Sequence, residues 1–294
     1  MDLRPYQAQG IEEIRAHFRA GVRKVLLHLA TGGGKTHCFS FMMIEAAKNG
    51  WPCLMVVRGR KLVSQASKRL TKEGVYHGVL MAGHWLERPG APIQIASIDT
   101  LIARQMRPRA RLIIIDEAHL AVSDGYRVFL TDPAYDNSFI VAVTATPYST
   151  KSMRHFADKI VHPITVRELM STGFLVDARY YAPSVPDTSG VKVSRSTGDY
   201  VTDELAAIMD KNAITGDIVT EWKKLAEGKP TIIFAVNVEH SKNIAKSFTE
   251  SGIPVEHCDA DTPEPERDAI IRRLEKGEIK GILVHNNQDK AHPV

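Results

Sequence analysis

The strongest constraint on this chain is a repeating hydrophobic pattern. A short apolar run, often β-branched, is followed by a longer amphipathic stretch, and the pair recurs. "KVLLHL" (24–29), "PCLMVV" (52–57), "PIQIAS" (92–97), "RLIIID" (111–116) and "FIVAVTA" (139–145) are the apolar runs of the first half. Runs this short and this uniformly apolar suit parallel strands buried on both faces. "KTHCFSFMMIEAAKNG" and "KLVSQASKRLTKEG" lie between them and read as helices. Alternation of this kind implies right-handed crossovers and a doubly wound α/β sheet.

The pattern weakens between residues 150 and 200, where "APSVPDTSGVKVSRSTGDY" is rich in Pro, Ser, Thr and Gly. We place a domain boundary there, near residue 175, with domains over 1–175 and 176–294. The alternation then resumes with strands at 230–236, 254–259 and 280–285. Gly252 and Gly277 stand where left-handed residues close helices. The two halves read as two copies of one architecture, and 294 residues suffice for both.

The first strand runs directly into "HLATGGGKTH" (28–37). The strict pattern GxxxxGK[ST] asks for glycine where this chain has Leu29. The physics asks for less: a strand, a tight loop whose amides point inward, and a helix amino terminus beneath them. Thr31, Gly32, Gly33 and Gly34 supply the loop, Lys35 reaches β- and γ-phosphates, and the Thr36 hydroxyl suits Mg²⁺. A plain glycine-rich turn is the competing reading.

"LIIIDEAH" (112–119) adds the chemistry that a cradle alone lacks. The apolar run delivers Asp116 to the carboxyl end of a strand, where open α/β sheets bind their ligands. Asp116 is the candidate Mg²⁺ anchor and Glu117 the candidate group to polarise an attacking water. His119 is placed to bond toward a neighbouring strand end. Read alone, the acidic pair is only a helix cap.

Bulk properties bound the rest. Hydrophobic content of 44% and charged content of 24% fit a globular chain. No apolar run approaches the roughly 18–20 residues that span a bilayer, and the first residues lack a secretory core, so a cytoplasmic location is expected. The three cysteines, Cys38, Cys53 and Cys258, are widely separated, which suggests reduced thiols. The 12 histidines form no ligand spacing for zinc. Trp51, Trp85 and Trp222 read as packing residues, with Trp85 the one in a loop. Two basic clusters stand out. Arg58, Arg60, Lys61, Lys68, Arg69 and Lys72 form one; Arg104, Arg107, Arg109 and Arg111 form the other. On charge alone each is a solvated face before it is a phosphate-binding surface.

GKT followed by DEAH resembles motifs I and II of superfamily-two helicases of the DEAD/DEAH-box type. "LRPYQAQGI" (3–11) is similar to the adenine-recognising motif of the branch that holds restriction subunits and repair helicases. That resemblance implies that Gln7, helped by Arg4, reads the adenine edge. "VVRGRKLVSQ" (56–65) and "IASIDTL" (95–101) resemble motifs Ia and Ib, which implies nucleic-acid contacts at Arg58, Arg60, Gln65 and Ser97. "VTATP" (143–147) resembles motif III, implying a coupling role for Thr144 and Thr146 alongside His119. Residues 231–248 and 259–284 resemble motif IV and the stretch after it.

The resemblance implies two RecA-like P-loop domains with parallel sheets, ATP and Mg²⁺ as cofactors, and DNA rather than RNA as partner. It departs after "GILV", where "HNNQDKAHPV" shows neither motif V nor the arginine-bearing motif VI. The second domain is therefore expected to be incomplete and hydrolysis impaired. The leading expectation is an ATP-dependent DNA helicase or translocase. The alternative is an ATP- and DNA-binding module with little or no hydrolysis. A small-molecule kinase accounts for the glycine loop but not for the later series.

Overall fold

A computed structural model describes residues 2–84, 86, 88–121, 124–147, 157–181, 188–193, 200–209, 212–259 and 261–285. Trp85 and the tail after residue 285 lie outside them, as does much of the Pro/Ser/Gly-rich stretch, where an antiparallel bridge joins Val193 to Tyr200. The chain divides into two compact units, Met1–Arg179 and Tyr180–Val294.

The first unit follows the periodicity closely. It runs α1 (Pro5–Arg19), β1 (Lys24–His28), α2 (Lys35–Lys48), β2 (Cys53–Val57), α3 (Arg60–Lys72), β3 (Gly78–Leu80), β4 (Ile93–Ser97), α4 (Ile98–Ala103), β5 (Leu112–Ile115), α5 (Asp124–Leu130), β6 (Phe139–Thr144), β7 (Lys159–Val161) and α6 (Val166–Ser171). Seven strands form one sheet in the order β3-β4-β2-β5-β6-β1-β7. Each pairing in it is parallel. The short β3 and β7, three residues each, were not legible as apolar runs. They lie at the sheet's two edges, where fewer residues need be buried.

Alternate residues of the central strands enter two different cores. Val25, Leu27, Met55, Ile114, Val141 and Val143 pack with Ile11 and Ile14 of α1, Phe39 and Met43 of α2, and Val63 and Leu70 of α3. Leu26, Leu54, Val56, Ile113, Ile115, Ile140 and Ala142 pack instead with Leu101 of α4 and Tyr126, Phe129 and Leu130 of α5. A continuous apolar run is what a strand needs when both faces are covered. Each buried aliphatic side chain contributes about 1.5–3 kcal/mol. Truncating Phe129, which is fully buried, would cost about 3–5 kcal/mol.

The second unit contains α7 (Thr202–Met209), α8 (Asn212–Leu225), β8 (Thr231–Ala235), α9 (Val238–Glu250), β9 (Val255–Cys258), α10 (Glu264–Glu275) and β10 (Gly281–His285). Its parallel sheet has the order β8-β10-β9. Leu283, Ile244, Phe248, Val219 and Trp222 form its core, and the Trp222 indole donates to Thr231 Oγ1 at 2.8 Å. Gly252 and Gly277 follow α9 and α10 with φ of +77° and +73°. β8 is an edge strand, and Ile232 and Phe234 on it are exposed. Among the described residues no helix is long and apolar enough to cross a membrane.

Candidate active site

Parallel strand order brings three loops to one edge of the first sheet. β6 lies between β5 and β1, with Ile115 opposite Ala142 and His28 opposite Thr144. The loop after β1, Asp116 after β5, and the segment after Thr144 therefore leave the sheet side by side at its carboxyl edge. The Leu29 amide donates to the Thr144 carbonyl at 3.1 Å, which joins the first and third of them directly.

The glycine loop is built around left-handed backbone. Gly32 and Gly34 have φ of +81° and +83°, a region that other residues enter at a cost. A β-carbon on Gly34 would also collide with the Gln7 amide. The loop is held from α1: Tyr6 Oη donates to the Gly33 carbonyl at 2.9 Å and Gln7 Nε2 donates to the same oxygen at 3.1 Å. In a planar trans peptide the C=O and N–H point in opposite directions. Tying the Gly33 carbonyl to α1 thus aims the Gly34 amide away from α1. α2 then begins at Lys35; the His37 and Cys38 amides close its first turn on the Gly34 carbonyl at 3.0 and 3.1 Å, and those of Lys35 and Thr36 are the ones a helix start cannot pair internally. Backbone amides with a helix amino terminus behind them attract anions.

Gln7, the residue expected to read adenine, is engaged with the glycine loop. It is buried, its nitrogen is on Gly33, and its Oε1 accepts from the Arg4 amide at 2.9 Å. One N–H and one lone pair of the amide remain. Arg4 sits above the Phe174 ring, 4.3 Å from its centre.

Opposite the loop, Asp116 is half-buried, and its Oδ1 accepts from the Glu117 amide at 2.9 Å. Burial pushes its carboxyl up to about 6, the Glu117 charge adds to the rise, and the Glu117 amide, Lys35 and His119 oppose it. Lys35 is thus close enough to be felt by Asp116. Glu117 has φ +48° and ψ +52°, a left-handed conformation that non-glycine residues adopt only when their surroundings enforce it. His119 Nδ1 lies 3.3 Å from Glu117 Oε2 and 3.0 Å from Thr144 Oγ1. The Thr144 hydroxyl also accepts from the Thr146 amide at 3.1 Å.

The donor set fits a small hard cation. The Thr36 hydroxyl is exposed in the first turn of α2, the Asp116 carboxylate faces the same edge, and both offer oxygen ligands. Among the described residues no three His, Cys, Asp or Glu side chains could hold a metal by themselves.

The basic clusters separate. Arg58, Arg60 and Gln65 are exposed where β2 passes into α3, and Arg60 donates to the Ala82 carbonyl at 3.2 Å. Ser97 is buried, so its hydroxyl is not presented with them. In the first cluster Arg69 is engaged with Glu73 at 3.3 Å. In the second, Arg107 pairs with Asp132 at 2.5 Å, and Arg111 stacks 3.9 Å over Trp51. Arg111 precedes β5, at the end of that strand away from Asp116.

Several residues of this arrangement carried no clear signal in the sequence. Tyr6 was visible only as part of a helix. His28 stacks on His162 at 4.3 Å and contacts the Ala145 carbonyl at 3.2 Å. Burial lowers the His28 pKa, with His162 and Lys35 adding to the effect.

Residues 1–149 match the family model described as type III restriction enzyme, res subunit, and residues 191–287 match the helicase conserved C-terminal domain. The helicase-family protein IRC3 of Saccharomyces cerevisiae is 27% identical over 303 residues, covering 96% of this chain and 44% of that protein. A 51.5 kDa protein of a Lactococcus phage is 29% identical over 252 residues, covering 85% of this chain and 52% of the other. This chain spans about half the length of the curated relatives it matches. Among solved structures, the DNA-bound type ISP restriction-modification enzyme LlaBIII shares the fold with a TM-score of 0.66 at 16% identity, covering 97% of this chain and 24% of that one.

Proposed function

This chain belongs to the type III restriction enzyme res-subunit family of superfamily-two helicases, and from that premise we propose that it hydrolyses ATP to move along or unwind DNA. One observation carries the reading. The glycine loop with Lys35, the acids Asp116 and Glu117, and the Thr144 segment share one sheet edge, and His119 bridges the last two.

In this reading the amides of Gly34, Lys35 and Thr36 cradle the phosphates. Lys35 neutralises the charge that builds on the outer phosphate during transfer. Thr36 and Asp116 would hold Mg²⁺, which when bound would draw charge from the phosphate oxygens and leave the phosphorus easier to attack. Glu117 accepts a proton from the attacking water. Its strained backbone and the His119 contact fix where that carboxylate points. Arg4 and Gln7 form the base side of the site. Arg58, Arg60 and Gln65 grip a sugar-phosphate backbone, and His119, Thr144 and Thr146 link that grip to the nucleotide. DNA is favoured over RNA because the matching family model is that of a restriction subunit.

Steady-state ATP hydrolysis, measured with single-stranded DNA, duplex DNA, RNA and no nucleic acid, tests the proposal. We expect stimulation by DNA that exceeds stimulation by RNA, and loss of turnover in Lys35→Ala. Nucleotide and DNA binding without turnover would replace this reading with a binding module.

A further inference from the structure

We propose that Leu175 and Phe174 are positioning residues for the glycine loop, forming a latch that links its position to the chain leading toward the second unit. The inference rests on the nucleotide reading above.

The latch is firmly mounted. Thr165 and Glu168 cap α6 reciprocally, with Thr165 N to Glu168 Oε2 at 2.8 Å and Glu168 N to Thr165 Oγ1 at 3.2 Å. Leu169 of α6 is fully buried in the first core. Gly173 then turns the chain at φ +74°, and the amides of Phe174 and Leu175 both donate to the Leu169 carbonyl at 2.9 Å.

The two residues so placed grip one loop at two points. A β-carbon on Gly32 would come within 2.5 Å of Leu175 Cδ2, so the leucine sits directly on that glycine. The Phe174 ring meets Tyr6 edge-on, with centroids 5.6 Å apart, and Tyr6 holds the Gly33 carbonyl. Arg4 covers a face of the same phenyl ring.

Residues 176–181 beyond the latch are all exposed and lie outside helix and strand. Val176 is 89% exposed and Tyr180 is 92% exposed, and the first unit ends at Arg179. A shift of Gly32 as phosphate enters must displace Leu175 or be resisted by it, because packed contacts switch between discrete arrangements and do not stretch smoothly. The displacement then reaches exposed backbone four residues before the unit boundary. Leu175 meets the loop at Gly32, and Phe174 reaches it only through Tyr6 of α1, so their effect on nucleotide is indirect.

The full chain tests this with the fluorescent nucleotide mant-ATP and Mg²⁺, reading the dissociation constant and hydrogen exchange at residues 176–181. Leu175→Ala should change affinity by about tenfold, a usual size for coupling between sites. It should also abolish the nucleotide-dependent change in exchange, and Leu175→Met should restore both. Phe174→Ala, at a more exposed side chain, serves as the second variant if Leu175→Ala fails to fold. Wild-type affinity and a wild-type exchange response in both alanine variants would overturn the latch. So would wild-type exchange at residues 176–181 that ignores bound nucleotide. Absence of mant-ATP binding by the wild type overturns the nucleotide reading and the latch together. Binding that Lys35→Ala removes keeps the nucleotide reading, so the Leu175 and Phe174 results then decide the latch alone.

Discussion

His119 Nδ1 and Thr144 Oγ1 lie 3.0 Å apart, across the boundary between neighbouring strands β5 and β6. Thr144 is fully buried, and its hydroxyl also takes the Thr146 amide at 3.1 Å while pointing toward the Thr146 carbonyl at 3.4 Å. With that hydroxyl as donor to the carbonyl, its lone pairs are left for the amide and for a protonated Nδ1. The same Nδ1 is 3.3 Å from the Glu117 carboxylate. One imidazole therefore touches both the acid proposed to activate water and the loop proposed to sense nucleic acid.

That contact predicts uncoupling. His119→Ala should leave mant-ATP binding near wild type and lower the DNA-stimulated part of hydrolysis by roughly 2- to 30-fold, the range of network couplings of 0.5–2 kcal/mol. Thr144→Val should do the same and lower stability by about 0.5–1.5 kcal/mol, the net worth of the hydrogen bond lost from the Thr146 amide. Equal losses in basal and stimulated rates would show that the pair serves hydrolysis alone.

Asp116 predicts a trade between stability and activity. Its carboxyl titrates at about 6 in the folded protein against 3.8 when free. Between those values the folded state holds a proton that the unfolded state has lost. The stabilising contribution is thus present below about pH 4 and is lost as pH rises through 6. Asp116→Asn cannot ionise, so it should stabilise the nucleotide-free protein by about 1–3 kcal/mol at pH 7.5, less at pH 4, and abolish hydrolysis. Urea unfolding midpoints at the two pH values check this, and identical pH dependence in both proteins would refute it.

Gly34→Ala combines two penalties. The residue needs φ +83°, and the added methyl meets the Gln7 amide. We expect a stability loss of about 1–2 kcal/mol from the backbone alone, and mant-ATP affinity reduced at least tenfold. Adding Gln7→Ala should relieve the steric part only. A double variant no better folded than Gly34→Ala would assign the whole defect to backbone strain.

The basic residues should divide by salt dependence. Arg58→Ala and Arg60→Ala should each flatten the slope of log affinity for DNA against log salt by roughly one, as expected for a lost phosphate contact. Arg107→Ala should leave that slope unchanged and lower the melting temperature slightly, since its guanidinium is spent on Asp132 and lies over the Phe129 ring. Fluorescence anisotropy of a labelled oligonucleotide at several salt concentrations separates the two classes.

Local chemistry made much of this protein readable as a string. Strand and helix follow from the spacing of apolar residues, so β1, β2, β4, β5 and β6 stand close to where their apolar runs do. The glycine loop and Asp116 follow strands, and a parallel sheet puts every such loop on one edge. Which loops are neighbours depends on strand order, and no spacing along the chain encodes it. Placing β6 between β5 and β1 is what joins His119 to Thr144 and the Thr144 carbonyl to Leu29. Folding likewise turned Gln7 onto Gly33, set Leu175 on Gly32 and spent Arg107 on Asp132. Each of these joins residues at least 25 positions apart, as the 26 between Gln7 and Gly33 and the 25 between Arg107 and Asp132 show. Such contacts arise only when several elements pack at once, whereas hydrophobic periodicity is a property of each element alone.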